Sequence, residues 1–121
     1  MISKKEKPQK IYFIYVFWGF LRKKAPFHCS SLNQEILITK LFLEHIAFNA
    51  TKNRTHKEII ERLLIIPFLE EILLKGTVRE VRDKKGNLFF RISRRFGEDI
   101  FVAIIIQSAK GYLLLSCFRE Y

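Results

Sequence analysis

The chain has 121 residues, 49% of them hydrophobic, and a formal net charge of +10 at pH 7. That is enough apolar content for one buried core in a chain too short for two comfortable domains, and it excludes global disorder. A basic excess of this size favours a polyanionic partner, nucleic acid first and an anionic membrane surface second.

The charge is uneven. Residues 1–30 hold seven Lys and Arg against one acid, whereas residues 31–121 hold 15 against 11. Much of the basicity is therefore an N-terminal property. Two cysteines, Cys29 and Cys117, are far apart, with no CxxC and no Cys/His cluster. Nothing in this spacing calls for a metal or a cofactor. Two reduced thiols in a cytoplasmic protein are expected, with a single long-range disulfide left open.

Residues 1–10 form a polar, basic arm. Ile11 to Leu21 is an apolar run of eleven residues closed by Arg22, Lys23 and Lys24. A membrane-crossing helix needs about 20 apolar residues, so no integral span is expected. The run is rich in Tyr, Phe, Val and Ile, which suits an added strand or packed hydrophobic arm, with membrane-surface attachment as a weaker alternative. A secretory signal is disfavoured because no small-x-small site follows. Residues 22–34 read as a linker, so the chain divides into an arm and linker over 1–35 and one domain over 36–121.

Glu35 to Thr39 reads as a short strand. Thr39 then caps a helix reaching about Phe48, with Leu41, Phe42, His45, Ile46 and Phe48 on one stripe. A polar loop with Lys52 and Arg54 follows. Thr55 and Glu58 form a capping box for a second helix that buries Ile59, Ile60, Leu63 and Leu64. Pro67 ends or bends it, and a further helical piece from Phe68 to Lys75 closes on Gly76 as a C′ glycine.

From Thr77 the periodicity changes to strands. Thr77–Arg82, Leu88–Phe96, Ile100–Gln107 and Tyr112–Arg119 are separated by turns at residues 83–87, 97–99 and 108–111. Gly, Asn and Asp in these turns beside β-branched and aromatic runs are hairpin signals. The third strand is apolar on both faces and should be central. The predicted fold class is α+β, with two to three N-terminal helices packed on a four-stranded antiparallel C-terminal meander.

Ile38-Thr39 with Glu44-His45-Ile46, a loop carrying Arg54 and His56, Glu61-Arg62-Leu63 with Pro67 and Glu71-Ile72-Leu73, and a terminal Ser116-Cys117-Phe118-Arg119 follow one another in an order that resembles a known family. This is the set of small phage and mobile-element nuclease domains grouped with barnase, EndoU, colicin-type tRNases and RelE toxins. The likeness runs over residues 36–121. It departs from the family at Ser116, where a Thr is usual, and the first 35 residues match nothing in it.

The resemblance implies a metal-independent ribonuclease-like domain, a toxin or effector acting on tRNA or mRNA, with an antitoxin or immunity partner. On the matching positions it implies proton transfer by His45 and His56 with Ser116 orienting, and RNA contacts from Arg54 and Arg119; the cluster Arg91, Arg94 and Arg95 on the second strand adds Arg94 as a further backbone contact. His can give or take a proton near neutrality, and Arg offers planar paired donors to phosphate. Each residue also has a plain structural reading: His45 as a core histidine, His56 as a solvated helix start, the arginines as a solvated face, and Arg62 as a partner of Glu58 or Glu61. The second functional reading is a non-catalytic basic module that binds nucleic acid or a partner chain, membrane-peripheral through its N-terminal segment.

Overall fold

The computed structural model describes residues 16, 18–24, 26–48 and 56–120. A helix over residues 18–24 (α1) leads into strands β1 (Phe27–Cys29) and β2 (Gln34–Leu37). Helices α2 (Lys40–Phe48) and α3 (His56–Leu63), a 3-10 turn (Ile66–Phe68) and helix α4 (Leu69–Lys75) follow. The chain then runs through β3 (Thr77–Arg82), β4 (Leu88–Phe96), β5 (Asp99–Ser108) and β6 (Gly111–Glu120).

All the strands join one curled six-stranded sheet in the order β1-β2-β6-β5-β4-β3. The expected meander is there as β3 to β6, antiparallel throughout, with β5 inside it. Gly86, Gly97 and Gly111 take the left-handed φ values of 83°, 64° and 120° that these turns require. The α+β class holds, but a four-strand sheet behind N-terminal helices is corrected to six strands, two of them preceding α2. Phe27 and Cys29 alternate inward with His28 between them, and Ile36 pairs with Phe27 across the ladder. Two short strands thus gain a buried face. Ser30 N–H donates to the Leu73 carbonyl and the Ser31 hydroxyl to Gly76 O, fastening this hairpin to the end of α4.

In the N-terminal apolar run, the described residues 18–24 are helical rather than extended. Leu21 is fully buried, and Trp18 and Phe20 pack on the core, so these residues are a packed element. The earlier part of that run, the capping box at Thr55 and the Arg54 loop lie outside the described residues. Among the described residues, no helix is long and apolar enough to cross a membrane.

The core lies between the helices and one sheet face. Phe42, Leu43, Ile46, Ile59, Leu63, Leu69, Ile72 and Leu73 meet Phe90, Ile92, Ala103, Ile105, Leu114 and Cys117. The apolar stripe of α3 is narrower than its sequence suggests: Ile60 and Leu64 are 45% and 60% exposed. Gly76 is not a left-handed cap. Its φ of −72° and ψ of 165° are extended, and the constraint is space. A Cβ there would press on the Ile72 carbonyl oxygen and sit 2.6 Å from Ile92 Cγ2, so the turn from α4 into β3 runs directly over the sheet.

Candidate functional site

Side chains along a strand alternate between faces. Phe90 and Ile92 of β4, Ala103 and Ile105 of β5 and Cys117 of β6 point to the helices, so Phe89, Arg91, Val102, Ile104, Ile106, Ser116 and Phe118 point the other way. On this second face the sheet curls around a cavity of about 930 Å³. Leu88, Phe89, Ile104, Ile106, Leu115 and Phe118 supply its apolar wall. His45 of α2, Arg62 of α3, Ser116, Gln107 and Ser108 add polar groups, with Asp83 and Asn87 from the β3–β4 turn.

Two local irregularities build this cavity. The register between β5 and β6 shifts after Ile104, which pairs with Ser116 while Ile105 pairs with Leu114. Leu115 is the extra residue of a bulge, and the bulge sets Leu115 and Ser116 side by side on the cavity wall. Second, β2 pairs with β6 only at Tyr112 and Leu113. Among the described residues, no strand lies beside that edge of β6 beyond Leu113, and α2 and α3 stand there instead.

Arg62 closes that edge. Its guanidinium donates to Ser116 Oγ at 3.0 Å and to the Cys117 carbonyl at 3.2 Å, and lies 5.5 Å from the Phe118 ring centroid. In return, the Cys117 thiol donates to the Arg62 carbonyl at 3.5 Å. Burial pushes the Cys117 thiol up to about 12, against a smaller downward pull from the Arg62 charge. It is a packed neutral thiol, not a nucleophile. The Asp83 carboxyl is held below its ordinary value, chiefly by hydrogen bonds from Asn87. With the Lys85 and Asn87 amides also donating to it, Asp83 organises its turn.

A search of known protein families, curated proteins and solved structures finds no match to this chain. The site therefore rests on its own geometry.

Of the residues singled out in the sequence, His45 and Ser116 reach the same cavity, half-buried and buried respectively. His56 begins α3, but its side chain is outside the described residues, as is all of Arg54. Arg94 and Arg119 are not brought to the cavity. They flank Phe101 in register on the helix side of the sheet. There Arg94 lies 3.8 Å from Glu71 and Arg119 lies 3.6 Å from Asp99. Phe68, Phe96 and Phe101 form an aromatic cluster at the same end.

Arg62 is the cavity-lining residue that the sequence reading gave only a structural role. Its partners lie more than 50 positions away, and its nearest acidic neighbours on α3 gave a sufficient local explanation. Among the described residues, no three His, Cys, Asp or Glu side chains gather as a metal site requires.

Proposed function

We propose that the cavity binds single-stranded RNA, taking a base against Phe118 and Phe89 and the adjoining phosphate at Arg62. The observation that carries this is a guanidinium fixed beside an aromatic ring at the wall of an open cavity lined by both apolar and polar side chains. Base stacking on an aromatic platform beside a cation is how single strands are held without sequence readout, at about 1–3 kcal/mol per stacked base. The cavity is large enough for a base with its sugar, since ligand pockets span roughly 300–1,000 Å³. The excess of 15 Lys and Arg over 11 acids in residues 31–121 supports a polyanion over a neutral ligand, though less strongly than the whole-chain charge.

A catalytic version of this reading is favoured by one further observation: His45 and Ser116 share the wall with Arg62. A phosphate held at Arg62 stands near a group able to move a proton, the chemistry the nuclease resemblance implies. In that version His45 exchanges a proton with the ribose 2′-oxygen or the leaving 5′-oxygen, and Arg62 stabilises the charge on phosphate.

The test is fluorescence anisotropy with a labelled single-stranded RNA, run beside gel analysis of the same RNA with and without chelator. Wild type should bind, and Phe118→Ala should bind about 5- to 150-fold more weakly. Equal binding by the two proteins sinks the cavity as the site. For the catalytic version, wild type cuts and His45→Ala does not. Intact RNA with wild type leaves binding alone.

A further inference from the structure

Phe118 carries a second cation. The Arg91 guanidinium also lies 5.5 Å from its ring centroid, and Arg91 Nη2 is 2.7 Å from Glu120 Oε2. β5 lies between the strands that carry these two residues, so the ion pair passes over the central strand on the cavity side of the sheet. Beneath it, Val102 is fully buried although it belongs to the opposite face from the main core, and it pairs in register with Phe118. Phe118 therefore stands between two arginines: Arg62, held by the β6 edge, and Arg91, held by an acid near the end of the same strand.

We infer that Arg91 is a second phosphate position and that Glu120 is its internal counterion, displaced when a strand binds. The inference rests on the cavity taking RNA and adds which groups meet the backbone. Successive phosphates of one strand flank a base, as the two guanidiniums flank Phe118. The Glu120 carboxylate sets a charged oxygen against Arg91 Nη2, as a phosphate oxygen would. The pair is about one-third exposed on the Arg91 side (29%) and 44% exposed on the Glu120 side, so water can reach it and an incoming anion can exchange with it. By this device the free protein keeps a cation on its sheet face neutralised, and RNA must compete for it.

The test compares wild type, Glu120→Gln, Arg91→Gln and Glu98→Gln, the last making the same charge change on the β4–β5 turn. A labelled single-stranded RNA is titrated across a salt series, with urea midpoints checked for each variant. Glu120→Gln should bind up to about fivefold tighter at low salt, the range over which an exposed ion pair acts. Its salt slope should steepen by up to about 0.7, the share of one single-strand phosphate contact. Arg91→Gln should bind more weakly with a shallower slope, and Glu98→Gln should change affinity less than twofold. The inference falls if Glu120→Gln and Glu98→Gln shift binding equally, or if Arg91→Gln binds as wild type does. If neither wild type nor Glu120→Gln binds RNA, the RNA reading of the cavity itself has failed, and this inference falls with it.

Discussion

Replacing Arg62 by Met keeps most of the side-chain volume and deletes the guanidinium. It removes two hydrogen bonds, to Ser116 Oγ and to the Cys117 carbonyl, and a contact with the Phe118 ring. Hydrogen bonds to charged groups contribute about 1.5–3 kcal/mol each, and an exposed cation–ring contact about 0.5–1 kcal/mol. Arg62 is only half-buried, so water recovers part of this for the Cys117 carbonyl at the open edge. Ser116 is 6% exposed, and its hydroxyl recovers little. The expected loss is about 2–3 kcal/mol, a large part of the roughly 5–15 kcal/mol typical of a domain but not all of it. Urea unfolding followed by the fluorescence of Trp18, the single tryptophan, reads it directly. Arg62→Lys should recover less than half, because a point charge cannot span both acceptors. In a double-mutant cycle with Ser116→Ala, the coupling should be about 1 kcal/mol. A loss below about 0.5 kcal/mol for Arg62→Met would refute the view that this residue closes the β6 edge.

Three further outcomes are expected. Gly76→Ala should cost about 1–3 kcal/mol, since its methyl group meets a backbone oxygen and the Ile92 side chain and neither can retreat far. A thermal scan should show the midpoint falling by several degrees, and an unchanged midpoint would mean the α4–β3 turn is looser than described. Cys117, raised from 9.0 to about 12 in the folded protein, binds its proton more tightly folded than unfolded. Its contribution is therefore fully present below pH 9 and is lost as pH rises toward 12, at up to about 1.4 kcal/mol per pH unit. Wild type minus Cys117→Ala in urea series between pH 8 and 11 should show that slope, and a flat difference contradicts it. Asp83 titrates in the opposite sense, its lowered value making the β3–β4 turn loosen as pH falls through the acid range. Exchange of the Lys85 and Asn87 amides should become less protected there, and Asp83→Asn should remove the pH dependence.

Much of the C-terminal half was legible because hairpin chemistry is local. Gly86, Gly97 and Gly111 announce turns, and the doubly apolar β5 announces a central strand. Helices α2, α3 and α4 were legible for the same reason, through Thr39, Pro67 and the spacing of Phe42 with Ile46, whereas α1 was not. What escaped depends on distant partners. β1 is three residues long and lay in the stretch read as a linker, and only its pairing with β2, itself expected as a short strand and paired in turn with β6, makes it a strand. The bulge at Leu115 sits in a uniformly apolar run, Tyr112 to Leu115, where no residue marks a change of register. His45 and Ser116 share a cavity as the sequence suggests, whereas Arg94 and Arg119, expected at the RNA, lie across the sheet. An alternation count along β6 separates Ser116 from Arg119. Pairing Arg62 with Ser116 required the fold itself.

The most direct measurement of the central claim is a two-dimensional amide NMR titration of the protein with a short single-stranded RNA. The expected shifts centre on Phe89, Ile104, Ile106, Ser116 and Phe118 and extend to Arg62 and Arg91, all at the cavity face. Shifts confined to β1, α4 or the Phe68, Phe96 and Phe101 end of the sheet, with the cavity residues unmoved, would contradict it.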